Sequence, residues 1–272
     1  MKSFKIAICF SGQARYWKAA SKNIKEFFKY NGNHPILGIP IEVDFFIHTW
    51  DTNTWRYPKT THIKFYNEKH NDGDEIIETY SPKEFEQEEW NETKFVSPWE
   101  PMFYSFNKSL MMKREYELNN NFQYDLVVKA RLDIIYNPNN NFNTFFTSPG
   151  VCYTCQPIRK FPSEFNYNSF DDVIFYGDSP TMDLVGDLYH SYLILHSNKI
   201  LNDREYNDLN LLPTIYYGPG TLLYSHLINL GIHPDVGTHI EYVVVRSTSI
   251  EEDTDSIRDY EKIKQKYIEW YV

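Results

Sequence analysis

Hydrophobic residues fall along this chain in short unbroken runs separated by amphipathic stretches, the pattern of buried strands alternating with helices. Lys5 to Phe10 (KIAICF) reads as a buried strand, and Ser11-Gly12-Gln13-Ala14-Arg15 as a tight turn opening a helix from about Tyr16 to Tyr30. Val43 to His48 (VDFFIH) reads as a second buried strand that runs into Thr49-Trp50-Asp51, and His62 to Tyr66 as a short third. Ser81 to Trp90 is expected to form an acidic, exposed helix with Ser81 as N-cap and Pro82 at the first position. From Trp99 to Leu118, Met102, Phe103, Phe106, Leu110, Met111 and Leu118 approximate helical spacing.

Tyr124 to Asn137 (YDLVVKARLDIIYN) reads as one strand that is polar on a single face. Side chains alternate with period two, so Lys129, Arg131 and Asp133 share one side while Val128, Ala130 and Leu132 share the buried one. Buried charges cost several kcal/mol unless paired or bound. A charged strand end of this kind either marks the place where open α/β sheets bind ligands, or is solvated, or holds charges such as Arg131 and Asp133 that satisfy each other.

An Asn-rich loop, residues 137–147, follows. Val151 to Cys155 and Val173 to Tyr176 read as strands, Ser179 to Ser197 as a helix, and residues 198–213 as a polar connection. Thr221 to Leu230 is a helix stopped by Gly231, Glu241 to Arg246 a late strand, and Ser256 to Val272 a final helix with an apolar stripe. The alternation implies an α/β fold, a single domain with a mostly parallel central sheet flanked by helices.

Composition narrows the function. The chain has 272 residues and a formal net charge of −10, which disfavours nucleic acid as a partner because that binding needs an excess of Lys and Arg. A small anionic ligand needs only a local cluster of cations. The amino-terminal apolar run is too short for a membrane span and lacks a cleavage site, so a cytoplasmic protein without a transmembrane segment is expected. Cys9, Cys152 and Cys155 offer no second pair to complete a zinc site and read as reduced thiols. Neither GxxxxGK[ST] nor GxGxxG is present, yet Gly12 allows close backbone approach, a helix amino end follows, and Arg15 adds a fork of donors, a set suited to an anion.

The segments ICFSGQAR, VDFFIHTWD, MFYSFNKSL, YDLVVKARLD, FDDVIFYGD and GPGTLLYSHLINLGI, taken in this order, resemble the glycosyltransferases of large DNA viruses, phages and bacterial surface-polysaccharide loci. These are similar to the GT-A class, whose Rossmann-like fold binds a nucleotide sugar. The resemblance implies a nucleotide-sugar-binding half over 1–136, an acceptor-binding half over 137–255 and a carboxyl-terminal helix over 256–272. It implies transfer from a UDP-sugar to a carbohydrate acceptor; the alternative is a catalytically inactive nucleotide- or glycan-binding protein.

By that likeness Ser11, Gly12, Gln13 and Arg15 lie against the nucleotide, and His48, Trp50 and Asp51 flank the base and ribose. Arg131-Leu132-Asp133 takes the place of the family's metal-binding Asp-x-Asp motif, with an Arg where the first carboxylate belongs. Either Asp133 holds Mn²⁺ or Mg²⁺ with water and diphosphate oxygens completing an octahedron, or Arg131 takes over much of the metal's neutralising task. Lys108, near the start of the helix that feeds this strand, is within reach of a phosphate. Asp172, and after it Asp171, is the candidate base for the acceptor hydroxyl, while Asp178 reads as a turn and helix cap.

Overall fold

The computed structural model describes residues 3–29, 32–52, 72–91, 94–95, 100–140, 147–156, 159–160, 168–197 and 219–244. The strand expected at His62 to Tyr66, the connection 198–213 and the helix 256–272 lie outside the described residues.

The first half is a repeated strand and helix unit. β1 (Phe4–Gln13) leads through α1 (Trp17–Phe28) to β2 (Ile41–Trp50), and α2 (Gly73–Tyr80) leads to β3 (Glu84–Glu88). α3 (Glu100–Asn120) then delivers the chain to β4 (Leu126–Ala130), and β5 (Ile134–Tyr136) follows at once. The second half adds β6 (Val151–Thr154), β7 (Arg159–Lys160), β8 (Asn168–Ser169) and β9 (Phe175–Gly177). It continues with α4 (Ser179–Gly186), α5 (Leu188–Ser197), α6 (Pro219–Asn229), β10 (His233–Val236) and β11 (Tyr242–Val244).

Seven strands form the central sheet in the order β10-β6-β9-β4-β1-β2-β3. β3, β2, β1 and β4 are mutually parallel, and β9 is antiparallel to both of its neighbours. Each face of the sheet has its own core. On one side Ile6, Ile8, Phe10, Ile47 and Val128 pack with Trp17, Ile24 and Phe28 of α1 and Ile76 and Tyr80 of α2. On the other, Ala7, Cys9, Phe46 and Val127 pack with Phe103, Phe106 and Leu110 of α3 and with residues of α4, α5 and α6. The alternation in β1 explains both cores, since its two faces are apolar and both are covered. The result is a mostly parallel α/β layer of Rossmann-like, GT-A-like architecture. Cys9, Cys152 and Cys155 are buried free thiols.

Four local expectations are corrected. Ser81 to Trp90 is not a helix: Ser81 closes α2 in the left-handed region at φ 46°, and Glu84–Glu88 pairs parallel with β2. Its acidic composition suggested an exposed helix, but the alternation of Phe85 and Gln87 with Glu84, Glu86 and Glu88 is that of a strand, and charge is tolerated at a sheet edge. The strand read over Tyr124 to Asn137 breaks after Ala130; residues 131–133 turn, and β5 leaves the sheet to pair antiparallel with β11. The helix read over Ser179 to Ser197 is interrupted at Asp187, next to Gly186, where an added Cβ would lie 2.7 Å from Leu110 Cδ1. β1, in turn, runs on through Ser11, Gly12 and Gln13 before the chain turns.

Candidate functional site

The strand order reverses between β1 and β4: from β1 the chain builds outward through β2 to β3, then returns to β1's other side. Ligands of open α/β sheets bind in the crevice beyond the carboxyl ends of the strands at such a point. The carboxyl ends of β1, β2, β3 and β4 lie along one edge, and they carry Ser11 to Gln13, His48 to Asp51, Glu86 to Glu88, and the turn at Arg131 to Asp133. Gly12 has φ 106°, a conformation side chains rarely adopt, and the space a Cβ would enter is open to 4 Å. Ser11 Oγ is buried and has no hydrogen-bond partner among the described residues.

On the β2 and β3 side the register places His48 beside Ser11 and opposite Glu86, with side chains on the face that α3 covers. His48 is fully buried. Its Nδ1 is 2.8 Å from Ser105 Oγ of α3, and its Nε2 is 3.2 Å from Glu88 Oε1. The same Ser105 hydroxyl accepts the Gly12 backbone N–H at 2.6 Å, so one helical serine joins the ends of β1 and β2. Burial lowers the pKa of His48, partly offset by Glu88, and favours the neutral ring. Burial also acts to raise Glu88, but hydrogen bonds from Tyr104, Lys94 and His48 prevail and hold it at about 2.

Ligand atoms of His48, Glu86 and Glu88 lie within 4.8 Å of one another, close enough to share one divalent cation. One imidazole nitrogen with two carboxylates is a donor set that suits borderline first-row ions as well as harder ones. Lys108 Nζ is 3.3 Å from both Glu86 Oε1 and Glu88 Oε1, and Lys94 Nζ is 2.9 Å from Glu88 Oε2. A bound cation would compete with Lys108 for these oxygens. Ser105, His48 and Glu88 also have the residue types of a hydrolytic triad, but Ser105 is wholly buried and already tied to Gly12 and His48. It is a brace, not an exposed nucleophile.

On the β4 side, Arg131 closes on Asp133 in a bidentate pair, and Arg15 Nη2 stands 3.7 Å from Asp133 Oδ2. The carboxylate expected to hold a metal is thus engaged by guanidinium groups. Lys129 is buried and donates to the backbone oxygens of Asp172 and Val173. Burial lowers its pKa to about 8 although Asp172, Asp171 and Asp133 act to raise it. Asp171 accepts the Tyr242 hydroxyl at 2.9 Å and the Val173 N–H at 3.0 Å; burial raises its pKa to about 6. Turning the chain at residues 131–133 and bringing in the segment before β9 therefore gathers Arg131, Asp133, Asp171 and Asp172 beside Lys129.

Trp50 is buried in an aromatic cluster, 5.3 Å between centroids from Trp90 and 5.6 Å from Tyr104. Asp51 accepts the Trp90 backbone N–H at 2.8 Å. Asp178 caps α4 through Thr181 N at 2.9 Å. Glu86, Glu88, Lys94 and Tyr242 did not stand out in the sequence; the one available signal was the alternation in EFEQE, which puts Glu86 and Glu88 on a common face.

Comparison with protein-family models and with curated proteins finds no match to the chain. No helix among the described residues is long and apolar enough to cross a membrane.

Proposed function

We propose that this protein is a metal-dependent glycosyltransferase that moves a sugar from a nucleotide sugar, a UDP-hexose, to a carbohydrate acceptor. The observation that carries this reading is the His48, Glu86 and Glu88 donor set lying on the same sheet edge as the Arg15, Arg131 and Asp133 group, with Ser11 to Gln13 between them. The choice of a uridine nucleotide and a sugar rests on the resemblance of the ordered sequence segments.

In this reading the donor diphosphate lies over Gly12, with Gln13 and Asp51 on the nucleoside side and the buried Trp50 supporting them from beneath. His48, Glu86 and Glu88 would hold Mn²⁺ or Mg²⁺, which supplies positive charge to the leaving diphosphate. Lys108, displaced from the two glutamates, turns to a phosphate oxygen. Asp133 orients Arg131, whose guanidinium faces the same anion, and Asp172, with Asp171 behind it, takes the proton of the acceptor hydroxyl. A second reading, a nucleotide- or glycan-binding protein without turnover, is favoured by the engagement of Asp133 with Arg131.

Hydrolysis of UDP-sugars in the presence of Mn²⁺ separates the two, since donor hydrolysis without acceptor is a common leak in such enzymes. Calorimetric titration with UDP, GDP and CDP tests the base. UDP binding that strengthens with Mn²⁺ and falls in a Glu86→Gln, Glu88→Gln double variant supports the proposal; absent or equal binding of all three nucleotides rejects the UDP assignment.

A further inference from the structure

The hydroxyl of Ser105 has two acceptors in range. It is 2.8 Å from His48 Nδ1 and 3.2 Å from the His48 backbone oxygen, and it accepts the Gly12 N–H at 2.6 Å. A serine hydroxyl has one hydrogen and two lone pairs, so it can donate to only one of the two at a time.

Each choice fixes a different tautomer of the neutral ring. If the hydroxyl donates to Nδ1, the ring proton is on Nε2 and is donated to Glu88 Oε1, 3.2 Å away. If the hydroxyl donates to the backbone oxygen, Nδ1–H donates to Ser105 Oγ, whose two lone pairs are then both used, and Nε2 presents a bare lone pair beside two carboxylates. The second state sets two acceptors against each other, and a cation between them removes that conflict. Both states satisfy every group of Ser105 without moving the backbone.

We propose that Ser105 is the positioning residue of the cation site, its hydroxyl turning from His48 Nδ1 to the His48 carbonyl as Nε2 takes a divalent ion. This rests on the metal reading above. One proton leaves Nε2 for solvent and one is taken from solvent at Nδ1, so the ring stays neutral throughout. The orientation of an imidazole ligand by a partner on its other nitrogen is a general feature of metal sites; here that partner also holds Gly12, so cation binding and the end of β1 are coupled through a single side chain.

The test is ¹⁵N nuclear magnetic resonance of the histidine rings in the full chain, without metal and with Zn²⁺ as a diamagnetic probe, His48 being assigned from a His48→Gln variant. The expected result is an Nε2–H ring in the metal-free protein and an Nδ1–H ring with Zn²⁺ bound. Ser105→Ala should weaken Zn²⁺ binding about 10- to 100-fold, the usual loss for an outer partner of a metal ligand, and Ser105→Thr should recover most of it. A ring that is already Nδ1–H in the metal-free protein and binds Zn²⁺ overturns the inference and leaves the metal reading standing, whereas Zn²⁺ bound with the ring still Nε2–H removes His48 from the ligand set and overturns both. No Zn²⁺ binding by the wild-type chain overturns the metal reading and this inference with it. The tautomer measurement on wild type decides the matter even if the alanine variant does not fold.

Discussion

Arg131 meets Asp133 with both arms of its guanidinium, Nε to Oδ1 at 2.7 Å and Nη2 to Oδ2 at 2.6 Å, and the carboxylate is wholly buried. The pair closes within a single turn of chain, so it needs no long-range ordering to form. Removing one member leaves the other's charge poorly solvated. Asp133→Ala is expected to cost about 3 kcal/mol of stability, read from urea unfolding, with a smaller loss for Asp133→Asn. Arg131→Ala should weaken UDP-sugar binding with or without Mn²⁺; unchanged affinity would remove Arg131 from the donor site.

The buried ammonium of Lys113 is a second, purely structural case. It contacts Glu117 Oε2 at 2.9 Å, Ser179 Oγ at 2.5 Å and Asp183 Oδ1 at 2.7 Å, joining α3 to α4. Lys113→Met would leave two carboxylates at the α3 and α4 contact without their cation, at a cost of about 3–5 kcal/mol. A melting temperature within a degree of wild type would contradict this.

Asp171 gives stability a pH dependence of unusual sign for a carboxylate. Its pKa is raised from 3.8 to about 6, so between those values the folded protein keeps a proton that the unfolded chain has released. Stability from this group is greatest below that window and falls as pH rises through it, by about 3 kcal/mol in all. Asp171→Asn should flatten the fall, measured as urea midpoints at several pH values across the window. If the two proteins show parallel profiles, Asp171 does not titrate in this way.

Catalysis is tested at the neighbouring position. Asp172→Asn should keep UDP-sugar affinity and lose transfer by ~10²–10⁴-fold, the usual cost of removing a general base. A rise in KM at constant kcat would instead indicate a positioning contact. Near wild-type kcat in both Asp171→Asn and Asp172→Asn would place the base elsewhere.

Gly12→Ala separates backbone strain from ligand contact. At φ 106° a side chain is strained wherever it points, which should cost about 1–2 kcal/mol, while no neighbouring atom lies within 4 Å of the new Cβ. If a donor packs against this glycine, UDP affinity should fall well beyond what the stability loss explains. Calorimetry on the folded variant reads the difference.

The α/β class was legible because its signals are local. KIAICF and VDFFIH are apolar runs that only a doubly covered strand can bury, and the apolar residues of α3 approximate helical spacing. Where composition and period disagreed, as in the acidic EFEQE segment, the period was the better guide. Lys129, Arg131 and Asp133 were visible as a charged group at a strand's end, but not the turn that folds Arg131 onto Asp133.

The amino-acid sequence by itself therefore determined which segments are buried, roughly where they begin and end, and that charge gathers after the fourth strand. Only the tertiary structure decided which charges meet. His48, Glu86, Glu88 and Ser105 come from β2, β3 and α3, and they converge because β2 and β3 pair in parallel with His48 opposite Glu86 while α3 packs across that face. Pairing register and helix docking are set by long-range burial of apolar surface, which no window of sequence encodes on its own.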